Sequence, residues 1–276
     1  MMLEFSKMHG LGNDFVVIDA INQNVALSPE QVRRLADRHR GIGCDQLLLV
    51  ERPRGGQADF RYRIFNADGG EVSQCGNGAR CFMRFVHEMG LSDKHELRIE
   101  TANGLLLLVL EDDDQITVNM GEPLLEPRDI PFDAPVRAST YSLEVAGDRL
   151  EIAALSMGNP HAVTLVSDIE VAPVARLGPA IEHHPRFPQG VNAGFMQIID
   201  FEHIRLRVHE RGAGETLACG SGACAAVVAG RLWDRLAARV KVALWGGDLV
   251  VSWAGSGYPV YLTGPATHVF RGRIEI

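Results

Sequence analysis

The stretch Phe65-Asn-Ala-Asp-Gly-Gly-Glu-Val-Ser-Gln-Cys75-Gly-Asn-Gly-Ala79 aligns without a gap with His209-Glu-Arg-Gly-Ala-Gly-Glu-Thr-Leu-Ala-Cys219-Gly-Ser-Gly-Ala223. Gly-Glu, the cysteine, both later glycines and the alanine coincide at an offset of 144 residues. Two weaker matches precede this block in the same order. Gly12-Asn13 before Phe15-Val16-Val17 pairs with Gly158-Asn159 before His161-Ala162-Val163 at an offset of 146, and Gly43-Cys44-Asp45 pairs with Gly190-Val191-Asn192 at 147. Three matches in register point to a duplicated chain, and a duplicated chain is expected to carry its active site where the halves meet.

Each half reads as the same kind of unit. In the first, Phe15 to Ile18, Gln46 to Val50, Phe60 to Phe65, Leu97 to Glu100, Leu105 to Leu110 and Gln115 to Val118 are short, β-branched or alternating runs bounded by turn residues, which predicts strands. In the second, Leu150 to Leu155, Ala162 to Val166, Phe195 to Ile199, Ile204 to Val208, Val240 to Leu244, Leu249 to Trp253 and Val260 to Thr263 read alike. Ser28-Pro29-Glu30-Gln31 carries an N-cap, a proline at the first helical position and a glutamine at the third, so a peripheral helix is expected through about Asp37. After each motif cysteine comes a different kind of helix. Gly222 to Ala229 is apolar on every face, and Ala79, Phe82, Met83 and Val86 form a strong apolar stripe, so both helices belong inside a core.

The expected fold class is α/β of the α+β type: two pseudo-symmetric domains from an internal duplication, each a curved, mainly antiparallel sheet wrapped around a central helix. Asn119-Met-Gly-Glu-Pro123 is the expected boundary. One domain is then residues 1–119 with a returning C-terminal strand within 265–276, and the other is residues 120–264.

Composition narrows the function. The 276 residues carry a net charge of −8 with 46% hydrophobic and 22% charged residues, the balance of a soluble globular protein. No basic cluster is dense enough to follow a phosphate backbone, so nucleic acid is not expected as a partner. The longest aliphatic run, Leu105 to Leu110, is too short to span a bilayer, and Glu4 and Lys7 interrupt the first eight residues, so neither a membrane anchor nor a signal peptide is expected and the location is read as cytoplasmic. Five cysteines without CxxC spacing argue against a disulfide framework and a ribbon-type zinc site. No metal cluster or committed cofactor lysine emerges.

Each Cys-Gly-X-Gly-Ala sets a thiol at a helix N-terminus, where backbone N–H groups and the positive end of the dipole favour an anion. Such a thiol is expected to have a depressed pKa, in the range of roughly 3.5–7.5. The glycines let a ligand carboxylate approach the same amides. Two such sites on one cleft suit inversion at a carbon next to a carboxylate, one thiolate removing the proton and the other thiol supplying a proton to the opposite face. Cys44, Cys81 and Cys224 read as packing residues.

With these motifs in hand the chain resembles the diaminopimelate epimerase family over essentially its whole length. The residues that carry the resemblance are His9-Gly-Leu-Gly-Asn-Asp-Phe15, Gly43-Cys-Asp-Gln46, Phe65-Asn-Ala-Asp-Gly69, Cys75-Gly-Asn-Gly-Ala-Arg80, Gly158-Asn-Pro-His161, Asn192, Glu210-Arg-Gly-Ala-Gly-Glu-Thr216 and Ala218-Cys-Gly-Ser-Gly-Ala223. The resemblance implies cofactor-independent epimerisation of LL-2,6-diaminopimelate to the meso isomer, in lysine and peptidoglycan precursor biosynthesis, by a homodimer with no cofactor and no metal. It assigns Cys75 and Cys219 as the acid/base pair and Asn13, Gln46, Asn66, Asn159, Asn192, Glu210 and Arg211 as substrate contacts. Gly76, Asn77, Gly220 and Ser221 would hold the reacting carboxylate, His161 and Glu210 would tune the thiols, and Phe270 would sit in the dimer contact. By composition alone Asn13, Gln46 and Asn66 are equally turn residues, and His161 and Glu210 equally ordinary hydrogen-bonding residues. Rival functions are another cofactor-free racemase or isomerase of the proline racemase or phenazine type, a thiol redox protein cycling a Cys75–Cys219 disulfide, and a non-catalytic binding module.

Overall fold

The computed structural model describes residues 2–72 and 75–276, so Ser73 and Gln74 of the repeated block lie outside the described residues. The chain forms two compact units, Met1–Asn119 with Thr263–Ile276, and Met120–Leu262. Both are mixed α/β with mostly antiparallel strands, and four α-helices occur among the described residues.

The first unit contains β1 (Met2–Gly10), β2 (Asn13–Asp19), α1 (Pro29–Ala36), β3 (Gln46–Glu51), β4 (Phe60–Asn66), β5 (Glu71–Val72), α2 (Gly76–Glu88), β6 (Glu96–Thr101), β7 (Gly104–Leu110) and β8 (Ile116–Asn119). The second contains β9 (Tyr141–Val145), β10 (Asp148–Ser156), β11 (Pro160–Leu165), α3 (Val174–Glu182), β12 (Asn192–Ile198), β13 (His203–Glu210), β14 (Gly214–Thr216), α4 (Gly220–Leu232), β15 (Arg239–Leu244) and β16 (Gly247–Trp253). β17 (Val260–Gly264) then leads the chain back, and β18 (Thr267–Glu275) completes the first unit beside β1.

The pairings in the two units follow one scheme. In the first, β1 runs antiparallel to β2, β2 parallel to β3, β3 antiparallel to β4, and β4 takes β5 antiparallel and β6 parallel. In the second, β10 runs antiparallel to β11, β11 parallel to β12, β12 antiparallel to β13, and β13 takes β14 antiparallel and β15 parallel. Even the register repeats: Ile64 faces Val72 and Val208 faces Thr216, each at the 144-residue offset of the cysteines. The first turn repeats too. Gly12 and Gly158 both stand at φ 90°, which a residue with a Cβ adopts only under strain.

Local chemistry accounts for most elements. Ser28 Oγ accepts from Gln31 N and Gln31 Oε1 accepts from Ser28 N, closing a capping box over Pro29 at the start of α1. The helix ends at Ala36, with Asp37 as its C-cap. Leu47 to Val50 of β3 are all buried because α1 and its cluster cover one face while α2 packs on the strand as well. β13 alternates buried Ile204, Leu206 and Val208 with the less buried Arg205 and Arg207. α2 packs against β1, β2, β3, β7, β8 and β18, and α4 against β10, β11, β12, β13 and β16. Residues Gly222 to Gly230 of α4 are all buried, as its all-round apolar sequence requires.

Besides the very short β5 and β14, three elements are not announced by the periodicity of the sequence. β1 is broken as a pattern by Ser6 and Lys7, yet it lies between β2 and β18, with Ser6 only 3% exposed and Lys7 paired to Asp14. β9 is short and forms as a hairpin with β10. α3 has Pro173 at its N-cap, no side-chain cap and Pro179 inside, so nothing local announces it.

Close packing of α4 makes a test. A Cβ on Gly230 would stand 2.2 Å from Leu236 Cδ1 and 2.6 Å from its Cγ. Helix propensity favours alanine over glycine by about 1 kcal/mol, and overpacking costs about 1–3 kcal/mol. Gly230→Ala is therefore expected to lower the melting temperature in calorimetry, against its propensity.

Candidate active site

In the first unit Cys75 is the N-cap of α2, in extended backbone at φ −147° and ψ 121°. The first bond of the helix runs from Ala79 N to Cys75 O at 2.8 Å, and the amides of Gly76 and Gly78 lie upstream of it. Tyr62, buried beneath, donates its hydroxyl to Cys75 O at 3.3 Å. The partly exposed Cys75 thiol points to Asn13 Oδ1 at 3.7 Å, and the same oxygen accepts from Asn77 Nδ2 at 3.2 Å.

The orientation of the Asn13 amide is set from outside the site. Its Nδ2 donates to Asp45 Oδ2 at 3.0 Å, which turns Oδ1 toward the cysteine. Asp45 is itself held by Arg38, whose guanidinium also grips both oxygens of Asp14, and Lys7 pairs with Asp14 at 2.5 Å. Burial would raise the Asp14 carboxyl, but Arg38 and Lys7 outweigh it and hold the group well below the usual carboxylate range. On the neighbouring strands Gln46 Nε2 donates to Asn66 Oδ1 at 2.8 Å, joining two more of the sequence-predicted contacts.

In the second unit Cys219 caps α4 in the same way, at φ −119° and ψ 107°, and its sulfur accepts from Gly222 N at 3.4 Å. Ser221 Oγ lies 3.6 Å from that sulfur. Asn192 is 3% exposed, donates to Pro160 O at 2.9 Å and accepts from Arg211 N at 2.9 Å. His161, 1% exposed, bonds through Nε2 to Asn159 Oδ1 at 3.1 Å. Burial, with the Arg211 guanidinium nearby, lowers the His161 pKa to about 3, so its ring is neutral at ordinary pH.

The thiol at the α4 terminus departs from the expected depressed pKa. Burial raises Cys219 well above the ordinary thiol value, and the Glu210 carboxylate against it adds to the rise. Ser221 and the Gly222 amide pull the other way and lose. A helix terminus offers a few partial charges, whereas complete desolvation penalises a full one. Cys219 therefore rests as the thiol. Glu210 is fixed in turn by Thr216 Oγ1 at 2.5 Å. Among the other cysteines, burial pushes Cys44 up to about 11 and Cys81 up to about 12, and Cys224 is fully buried in α4.

Four supporting residues carry no role in the sequence reading: Asp45, which orients Asn13; Tyr62, on the Cys75 carbonyl; Thr216, on Glu210; and Arg80. Arg80 is fully buried, with Nη2 donating to Asn77 Oδ1 at 2.9 Å and Nε donating to Pro265 O at 3.1 Å. A charged residue one turn into α2, directly between Ala79 and the buried Cys81, was the available signal for Arg80.

Solved structures share this architecture. The chain superposes on a hydroxyproline epimerase from Agrobacterium vitis with a TM-score of 0.71 at 17% identity, covering 99% of this chain and 92% of that one. It superposes on a phenazine biosynthesis protein of the PhzF family from Bacillus anthracis with a TM-score of 0.70 at 18% identity, covering 100% of both. At these identities the shared property is the fold, which places the chain in that structural class. Sequence then specifies the family. The diaminopimelate epimerase family model matches residues 5–125 and 153–269. Proteins named diaminopimelate epimerase from Nitrosospira multiformis and Aromatoleum aromaticum are 62% and 61% identical over 276 residues, covering 100% of this chain and 99% and 100% of theirs. The chain belongs to the diaminopimelate epimerase family, and it is an isomerase.

The electrostatics of Cys219 are directly measurable. Glu210→Gln removes the neighbouring negative charge, so the Cys219 pKa should fall, and each unit of fall multiplies the thiolate fraction about tenfold below the pKa. Labelling by iodoacetamide at pH 8, followed at Cys219 by mass spectrometry, is expected to be several times faster in the variant. The ratio should shrink at higher pH. An equal rate in a folded variant would remove Glu210 from control of the thiol.

Proposed function

We propose that the chain epimerises LL-2,6-diaminopimelate to the meso isomer without a cofactor, using Cys75 and Cys219 as a two-base pair. One observation carries this reading: each unit repeats the same topology up to a cysteine that caps a buried helix, and in the second unit the Glu210 carboxylate stands against that cysteine, with Arg211 next to it in the same turn. A symmetric pair of proton-transfer groups suits a symmetric reaction at one α-carbon, and the asymmetric charges suit a substrate with a second amino acid end. This duplication also supports the reading of each unit as a sheet wrapped around its central helix.

One cysteine, as thiolate, takes the α-proton, and the other, as thiol, gives its proton to the opposite face. The C–H bond breaks on one side and forms on the other, and the two thiols exchange protonation states. The amides at the starts of α2 and α4, with Asn77 and Ser221, hold the reacting carboxylate and oppose the charge developing on it. Glu210 is placed to receive the Cys219 proton when the thiolate is required. His161, neutral and buried, acts by hydrogen bonding rather than by charge. Asn13, Gln46, Asn66, Asn159 and Asn192 supply amide donors and acceptors, while Glu210 and Arg211 meet the ammonium and carboxylate of the distal end. The product serves lysine and peptidoglycan precursor synthesis in the cytoplasm.

The test is deuterium uptake at the α-carbon of LL-diaminopimelate by the reduced protein in D2O with EDTA present. Wild type is expected to exchange and epimerise, and Cys75→Ala and Cys219→Ala each to lose epimerisation by at least about a thousandfold, since an essential proton-transfer group is gone from one face. A single variant that keeps a substantial fraction of the wild-type rate would defeat the two-base assignment.

A homodimer through β18 is part of the same proposal. Val269 and Phe270 on this strand are 55% and 48% exposed, and β1 is the strand that pairs with it. Phe270 lies edge-to-face against Phe5, with ring centroids 6.0 Å apart. An exposed apolar edge strand is suited to cover by a second copy. Phe270→Ala is expected to shift sedimentation toward monomer with little change in melting temperature of the monomeric species. An unchanged dimer at low micromolar concentration would take Phe270 out of the contact.

A further inference from the structure

The turn that carries Glu210 and Arg211 rests on a buried pair of ionisable residues. His209, 8% exposed, donates from Nε2 to Glu182 Oε2 at 2.9 Å. The second carboxylate oxygen, Oε1, accepts from Gly212 N at 2.8 Å. Glu182 O accepts from Val191 N, which places Asn192 to take the Arg211 amide at 2.9 Å. His183 Nδ1 is the other titratable group at hand, 3.8 Å from Glu182 Oε1.

The first unit shows what the same positions look like without this device. The bond from Val191 N to Glu182 O at 3.2 Å corresponds to one from Cys44 N to Ala36 O at 3.2 Å, so Ala36 stands where Glu182 does. Phe65 stands where His209 does, at the 144-residue offset. Val32 corresponds to Gly178, and Val32, Ala36 and Phe65 all belong to one apolar cluster. In the second unit a Cβ on Gly178 would lie 2.6 Å from His209 Cβ and Cγ, so the ring occupies the room a side chain would need. An apolar filling therefore fits this framework, and buried ion pairs are often no more stabilising than such a filling. The ionisable version appears in the unit whose turn reads Glu210-Arg211-Gly212, while the other reads Asn66-Ala67-Asp68.

We propose that Glu182 and His209 are positioning residues that lock this turn through the Gly212 amide and thereby set the place of Glu210 and Arg211 for the distal end of an amino-dicarboxylate substrate. The proposal rests on the reading of Glu210 and Arg211 as substrate contacts. Burial would raise the Glu182 carboxyl, but the Gly212 amide and His209 outweigh it, so the acceptor stays charged and strong.

The experiment compares Glu182→Ala/His209→Phe, which installs the pair of the first unit, with Glu182→Gln, whose carboxamide oxygen can still accept from Gly212 N. Two readouts are taken on the full chain: hydrogen exchange of the Gly212 amide by NMR, and KM against kcat for diaminopimelate. Loss of a charged acceptor is expected to speed Gly212 exchange and raise KM in the double variant by about tenfold or more, with a smaller fall in kcat because Glu210 also stands against Cys219. Glu182→Gln should stay within about threefold of wild type in KM. An unchanged KM in the double variant, or equal losses in both variants, would overturn the positioning role. If the double variant does not fold, Glu182→Ala is read in the same way. If wild type itself fails to epimerise diaminopimelate, the functional reading falls separately, and Gly212 exchange decides the lock: acceleration upholds it and no change overturns it.

Discussion

The constraint on which everything else depends is the complete burial of a helix that begins at a cysteine. α4 has no polar face to turn outward, so strands of its own unit must cover it along its length. Its N-terminus is then fixed by packing rather than by a surface cap, and Cys219 occupies the cap position with its sulfur against Gly222 N. α2 repeats the arrangement with Arg80 buried one turn in, tying the helix to Asn77 and to Pro265 of the returning chain.

Burial also sets the chemistry against expectation. The dipole at a helix start favours a thiolate, but a group withdrawn from water beside a carboxylate keeps its proton, and at Cys219 the second effect dominates. Cys219 thus stands as a protonated thiol beside the Glu210 carboxylate. His161 is treated in the same manner: withdrawn from water near Arg211, it stays neutral and contributes a hydrogen bond to Asn159. Both groups owe their states to neighbours that are distant in the chain or only brought near by strand pairing.

The two units share a framework and diverge in the side chains set around their cysteines. Their pairings and registers agree, but the first unit surrounds its cysteine with amides from Asn13 and Asn77, ordered by the Lys7, Asp14, Arg38 and Asp45 network. The second unit adds Glu210, Arg211 and the buried Glu182–His209 pair. Divergence of this kind costs little in framework stability, because strand pairing depends on backbone bonds that both versions share.

The sequence by itself determined the duplication, the strands flanked by turn residues, the buried character of both post-cysteine helices and the pairing of a cysteine with Gly-X-Gly in each half. These are local properties, since periodicity, capping and turn chemistry act over a few residues. It did not announce β1, whose Ser6 and Lys7 break the alternation, or α3, which lacks a cap and contains Pro179. Those elements exist because neighbouring strands and helices cover them, and Lys7 is tolerated because Asp14 lies opposite. Tertiary structure alone decided that Asp45 orients Asn13, that Glu182 reaches the Gly212 amide across 30 residues, and that Cys219 is a thiol rather than a thiolate. Such outcomes depend on distances and solvent access between segments far apart in the chain, and no pattern of spacing encodes them.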